Sequence, residues 1–359
     1  MRVMAVLGSV SAVVALSGLG LSQGRQTLDV HFIDVEGGGQ STLVVAPSGE
    51  SMLIDAGFPV ARDADRIASA AAAAGVKQID YFVNTHLHAD HFGAIPELAK
   101  RMPIRNFVDH GSLVETGDRS IAAFNAYAAA RDKGRHIVAK PGDKVPLKGV
   151  DVQVVIAGGE AIAKPLEGGG AANPLCRDWV AQEDDPTEDA RSVGTVTRFG
   201  LFRMLDLGDL TWNKEHLLAC PNNMLGTIDV YVTTRHGING AGSASLVHAI
   251  RPRVAIMNNA ARKGASREAW TTVKTSPGLE GLWQLHYSVK RPPSPAPGLH
   301  ETAESGGPDL NTSEPMIANV EEPEAHTPAY SIQLSARQDG SFVVTNTRNG
   351  FRKEYAAPR

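Results

Sequence analysis

His86-Leu87-His88-Ala89-Asp90-His91 places four metal-ligating side chains within six residues. Three imidazoles and a carboxylate are the donor types that zinc and its borderline neighbours accept. The run follows an apolar stretch, Ile79 to Val83, that reads as a buried strand. It precedes Phe92, Ile95, Leu98 and Met102, whose spacing of three and four residues lays an apolar stripe along a helix. The cluster therefore stands at the carboxyl end of a strand, where α/β proteins collect their ligands. A solvated loop accounts for one histidine, but not for three with a carboxylate at this spacing.

Upstream, Leu28 to Val35, Thr42 to Ala46 and Met52 to Asp55 read as short strands separated by Gly, Pro and Ser turns, and an Ala-rich helix runs from Asp63 to Ala74, closed by Gly75. Downstream, a strand at Ile104 to Val108 and a helix at Ser120 to Arg131 continue the alternation, and Lys144 to Ile156 forms a hairpin about Lys148-Gly149. Residues 157–191 carry Gly168 to Gly170, several prolines and the acidic run Glu183-Asp184-Asp185, the marks of an irregular insertion. Strands then resume at Val193 to Arg198, Leu201 to Leu205, Ile228 to Thr233 and Val254 to Met257, with helices at Asn213 to Ala219, Ser243 to Ile250 and Ser266 to Lys274. Eight of the 21 prolines fall between Ser288 and Pro328, so residues 288–328 are expected to form a loop. Two strands follow, Tyr330 to Ser335 and Ser341 to Thr347; they cannot fold alone and are expected to return to the main sheet. The expected organisation is a single domain over residues 25–359 with irregular insertions at 157–191 and 288–328.

The 359 residues carry a formal net charge of -4, without the overall basic field that nucleic-acid binders use on phosphates. Arg2 followed by an uncharged Val3 to Leu21 reads as a signal peptide over residues 1–24, cleaved after Ser22 or Gly24. The expected location is the periplasm or the exterior, with no membrane span in the mature chain. In such a compartment Cys176 and Cys220 have two alternatives, one disulfide or two separate buried thiols.

Two later positions also stand at strand ends. Asp209 lies in Asp206-Leu207-Gly208-Asp209, and His236 in Thr234-Arg235-His236-Gly237. With these in place the chain resembles the metallo-β-lactamase fold superfamily, and more closely the secreted, stand-alone relatives of the metal-dependent domain of bacterial competence proteins, the DNA-uptake channels. The resemblance runs through Phe32-Ile33-Asp34-Val35, Leu53-Ile54-Asp55-Ala56-Gly57, Thr85 to His91, Gly208-Asp209 and His236-Gly237.

It implies an α/β fold of four layers, an αββα sandwich of two mixed sheets flanked by helices, and two divalent metal ions, zinc first, with manganese or iron as alternatives. By position, His86 and His88 hold one ion, Asp90, His91 and His236 the other, and Asp209 bridges them. A metal-bridging hydroxide, oriented by Asp90, then attacks an ester, amide or phosphodiester. The expected function is an exported hydrolase of a small molecule or phosphoester, with phosphoesters and phosphodiesters favoured. A β-lactamase or lactonase is the first alternative, and a non-catalytic metal- or ligand-binding protein of the same fold the second.

Three positions depart from that pattern. Where many members supply a further histidine, about 20 residues before Asp209, this chain has Glu188 and Asp189. Val35-Glu36-Gly37-Gly38-Gly39-Gln40 stands where the competence-type domains read Val-Gly-Gln-Gly-Asp, and Arg235-His236 stands where they carry paired histidines. A guanidinium cannot cycle as an acid, so Arg235 is expected to hold an anionic group of the substrate and counts with Asp90 as a catalytic candidate. His110 and Asp189 are candidates for supporting the ligands or meeting the substrate.

Overall fold

The computed structural model describes residues 26–35, 38–290, 305–321 and 326–358. The expected signal peptide over residues 1–24 lies outside the described residues. Two nine-stranded sheets form the centre. The first runs, in spatial order, through Arg352–Tyr355, Phe342–Asn346, Ile332–Ala336, Leu28–Phe32, Thr42–Val45, Ser51–Ile54, Ile79–Val83, Ile104–Asp109 and Arg135–Val138. The second runs through Ile317–Asn319, Gly281–His286, Val254–Met257, Val230–Val232, Phe202–Asp206, Gly194–Phe199, Asp151–Ala157 and Lys144–Val145, with Glu160–Ala161 paired onto Asp151–Ala157. Both sheets are mixed. Ser51–Ile54 to Arg135–Val138 are parallel in the first and Phe202–Asp206 to Ile317–Asn319 in the second.

The strand period of two divides the apolar residues between layers. Val44, Met52, Ile54 and Val83 face the second sheet and pack with Val152, Val154, Met204, Val232, Ile256 and Trp283. Their neighbours Leu43, Val45, Leu53 and Phe82 face outward, against Ile67 and Ala71 of helix Ala61–Ala73, Leu98 of helix Ile95–Arg101 and Tyr127 of helix Asp118–Arg131. On the far side Leu205, Tyr231 and Ala255 meet Leu218, Leu246 and Val273 of helices Trp212–Ala219, Ala244–Ile250 and Arg267–Lys274. Three apolar cores between four layers make the αββα sandwich. Among the described residues no helix is long and apolar enough to cross a membrane.

Several elements differ from the sequence reading. The helical stripe of Phe92, Ile95, Leu98 and Met102 is buried as a face, but Ala89–Phe92 and Ile95–Arg101 are separate helices. Arg135–Val138 is an edge strand whose residues are all partly or fully exposed, so it has no apolar run to betray it. Gly281–His286 is a fully buried strand in which Gln284 and His286 interrupt the apolar pattern. Their side chains have partners inside: Gln284 donates to Asn311 at 3.2 Å, and His286 Nε2 lies 2.8 Å from Asp34 Oδ1. The proline-rich stretch is not wholly irregular, because Ile317–Asn319 adds a parallel strand to Gly281–His286. Three strands, not two, close the chain, and they join the first sheet through Leu28–Phe32 as the need to bury them requires.

Asp34, after the first strand, also ties the sheets together: besides His286 of the second sheet, it meets Arg66 at 2.9 Å and His326 Nε2 at 3.3 Å. Both oxygens of that carboxylate are occupied, Oδ1 by His286 and Oδ2 by Arg66, so this buried group is a structural cross-link.

Cys176 and Cys220 are joined, with Cα atoms 5.7 Å apart, and the bond fastens the insertion to the end of helix Trp212–Ala219. It spans 44 residues, for which the chain-entropy model gives about 4 kcal/mol of stability. Replacing both cysteines with serine is expected to lower the denaturant midpoint correspondingly, with a somewhat higher m-value because the unfolded chain is no longer cross-linked, as read by urea unfolding.

Candidate metal centre

The ligand candidates come from both sheets and meet where the strands end. Strand Ile79–Val83 delivers Thr85 to His91, Phe202–Asp206 delivers Asp209, and Val230–Val232 delivers Arg235 and His236. The last two residues have φ of 50° and 57°, left-handed values that non-glycine residues adopt only under tertiary constraint. That turn is pinned by Arg235 N donating to the Gly208 carbonyl at 3.0 Å. Gly208 has φ of 55°, and a Cβ on it would lie 2.5 Å from the Thr85 side chain, so only glycine lets the two loops touch. Gly39 allows the same approach on the other side, since its Cβ would lie 2.6 Å from the Asp90 carbonyl oxygen.

Three groups of ligand atoms result, each within 4.8 Å: His86, His88 and Asp189; His86, His91 and Asp209; Asp90, His91 and His236. His86 Nε2 and His88 Nδ1 lie 3.3 and 2.8 Å from Asp189 Oδ1. Asp209 Oδ1 lies 3.2 Å from His236 Nε2 and 3.7 Å from His91 Nε2, and Asp90 Oδ2 lies 3.7 Å from the latter. All six ligands expected from the sequence are thus brought together, and Asp189 stands among them.

Whether these residues suit a metal is tested by the atoms left over. His91 Nε2, His236 Nε2, Asp189 Oδ1 and Asp209 Oδ1 are buried without a hydrogen-bond partner. Four orphaned donor atoms converging on one place are costly unless an ion takes them. The remaining atoms of these side chains are occupied in the way a ligand requires. His91 Nδ1 lies 2.7 Å from Asp55 Oδ2, and His236 Nδ1 lies 3.0 Å from the Asn258 carbonyl, which fixes each ring with Nε2 toward the cluster. Asp55 itself, at φ 57°, accepts from Thr85 N at 2.8 Å and Thr85 Oγ1 at 2.7 Å.

Arg235 does not face solvent: it is 6% exposed, and its Nη2 is paired with Asp189 Oδ2. The guanidinium expected to hold a substrate anion is therefore already used by a carboxylate of the protein. His110 is set back from the ligands. Its Nε2 lies 2.6 Å from Glu188 Oε2, while Glu188 accepts from Leu87 N at 3.1 Å and Val114 N at 2.6 Å and so braces the histidine turn. Asp206 is also outside the cluster, held by Gln40 Nε2 at 2.8 Å and Gly208 N at 3.0 Å; burial, with Asp55 adding to it, pushes its carboxyl up to about 6.

The sequence reading missed Lys263, whose Nζ donates to Asp90 Oδ2 and to the Gly38 carbonyl, both at 2.8 Å. A single lysine in a loop carries no signal until the fold places it there. Asp55 was visible only as part of a strand-end turn, and its role depends on the position of His91.

Burial lowers the basicity of His91, but Asp209, Asp55 and Asp90 outweigh it and raise the imidazole to about 9; for His88 burial is likewise outweighed, by Asp189 and Asp90, to about 9. Burial raises Asp189, yet His88, Arg235 and His86 bring it down to about 2.

Residues 35–172 match the family model described as the metallo-beta-lactamase superfamily. That span is a metallo-β-lactamase superfamily domain. Among curated proteins none matches the sequence. Similar solved structures include the diiron β-hydroxylase CmlA from Streptomyces venezuelae, at 14% identity and TM-score 0.40, covering 70% of this chain and 47% of that one. The chain thus spans about half the length of that hydroxylase. Others are the Rm3 metallo-β-lactamase, at 16% identity and TM-score 0.36 over 71% of this chain and 84% of that one, and a diphosphatase of the PhnP family, at 17% identity and TM-score 0.32 over 60% and 71%.

With both imidazoles at about 9, His88 and His91 carry protons at pH 7 when no ion is bound, and a ligating nitrogen must lose its proton. Loading the metal-free chain at pH 7 is expected to release roughly two protons per chain, read by a pH indicator in weak buffer. Gly208→Ala is expected to weaken metal retention by about tenfold or more by displacing Thr85, as measured by chelator competition.

Proposed function

We propose that this chain is an exported metal-dependent hydrolase acting on a phosphoester or phosphodiester. The observation that carries the hydrolytic reading is Asp209, which groups with His86 and His91 while its Oδ1 lies 3.2 Å from His236 Nε2, so one carboxylate serves both halves of the cluster. A pair of divalent ions in such a setting supplies Lewis-acid polarisation and activation of water.

The residues of the chain do the rest. Asp55 and the Asn258 carbonyl keep the Nδ1 protons of His91 and His236, so that both Nε2 atoms remain donors. The cluster is buried except at His88, Glu115, Asp90 and Lys263, whose side chains are 33%, 27%, 18% and 25% exposed, and substrate enters there. Lys263 holds Asp90 Oδ2 in place and sets a fixed positive charge beside that opening; burial lowers its basicity, but Asp90 and Asp209 outweigh it and keep the ammonium charged. An anionic substrate suits that charge. The motif order shared with competence-type domains points the same way. The disulfide and the uncharged Val3 to Leu21 support export.

The test is hydrolysis of bis(p-nitrophenyl) phosphate, a chromogenic β-lactam and a lactone by the metal-loaded full chain. Turnover of the phosphate ester, lost by orders of magnitude in Asp209→Asn at unchanged folding, is the expected result. Exclusive ring opening of lactam or lactone overturns the substrate class, and an inert, metal-loaded protein overturns the hydrolase. Lys263→Met is expected to raise KM for the phosphate ester about tenfold or more, the scale of one charged hydrogen bond, when assayed at saturating metal because the same ammonium also holds Asp90.

A further inference from the structure

With Asp209 shared, the two halves of the cluster present the same donor types. One offers His86 Nε2, His88 Nδ1 and an oxygen of Asp189; the other offers the imidazoles of His91 and His236 with an oxygen of Asp90. Asp189 is no chance neighbour. It is 5% exposed, its Oδ1 lies 2.8 Å from His88 Nδ1 and 3.3 Å from His86 Nε2, and that oxygen has no hydrogen-bond partner.

Its other oxygen is taken by Arg235, which fixes the carboxylate so that it presents one oxygen to the cluster. The left-handed pair Arg235-His236 therefore does two things at once: it aims His236 at one half and the guanidinium at the carboxylate of the other. Replacing an imidazole nitrogen with a carboxylate oxygen changes what an ion meets. Oxygen donors suit manganese, and two imidazoles with one carboxylate suit iron(II), whereas a site of three imidazoles suits zinc.

We propose that Asp189 is the third protein donor of the first metal position, held one-oxygen-in by Arg235 as a positioning residue, and that this carboxylate makes the position less selective for zinc over manganese and iron(II) than a histidine there would. This rests on the two-metal reading above.

The experiment strips the full chain of metal, then titrates zinc, manganese and, without oxygen, iron(II), reading stoichiometry by elemental analysis and affinity by chelator competition. The wild type is expected to hold close to two ions, and Asp189→Ala close to one. Asp189→His is expected to restore the second ion and to raise the zinc preference over manganese by about tenfold or more, the scale on which changes around a metal act. Arg235→Met is expected to weaken the first ion by about 10- to 100-fold without altering the second. Should Asp189→Ala fail to fold, Asp189→Asn, which keeps the shape and loses the charge, carries the same comparison. Two ions bound as tightly in the Asp189 variants as in the wild type, or an unchanged zinc preference in Asp189→His, overturns the inference while leaving the two-metal reading intact. A wild type that binds neither zinc, manganese nor iron(II) overturns that reading itself.

Discussion

The carboxylates of Asp55, Asp189 and Asp209 are buried and that of Asp90 is partly buried at one junction of the two sheets, and the organisation of the site follows from matching their charge. Buried carboxylates are tolerated only when cations or directed hydrogen bonds meet them. Asp55 is met by Thr85 and His91, Asp90 by Lys263, and Asp189 by Arg235. Asp209 is met by His236 and His91, with the charge of Lys263 also acting on it, and its Oδ1 is among the atoms left without a hydrogen bond. The place where the protein's own partners run out is the place where the ligand nitrogens converge.

That arrangement needs both sheets. His86, His88, Asp90 and His91 follow a strand of the first, while Asp209 and His236 follow strands of the second. The sheets are held in register at this edge by hydrogen bonds that cross between them. Gln40, beyond the first strand, donates to Asp206 and accepts from Asn258 Nδ2 at 2.7 Å, and the Asn258 carbonyl in turn orients His236. The core between the sheets makes their separation stiff, because close-packed interiors resist sub-ångström change. Displacement of the sheets would therefore be felt first at the ligands.

Gly38 and Gly39 also belong to this geometry. The Gly39 backbone lies against the Asp90 carbonyl, and the Gly38 carbonyl accepts from Lys263. A substituted motif thus still serves the same junction, with a lysine from a distant loop completing it. Arg235 tells a similar story: a residue that departs from the expected pair of histidines is matched by Asp189, which departs from the expected third histidine.

The sequence alone determined the alternation of strands and helices, the strand-end position of the histidine cluster and the identity of six ligand candidates, because each depends on local periodicity or on residues adjacent in the chain. It also foretold that the closing strands must join the main sheet, since so few strands cannot bury their own faces. It did not reveal Gly281–His286, whose polar side chains find partners such as Asn311 and Asp34 only through the fold, nor Arg135–Val138, an edge strand in which Ile137 alone packs inward. The joining of Cys176 to Cys220, the placing of Lys263 against Asp90 and the seating of Asp189 between His86, His88 and Arg235 were decided only by the tertiary structure. Each is a meeting of residues far apart in the chain, and such distances are set by how the layers pack.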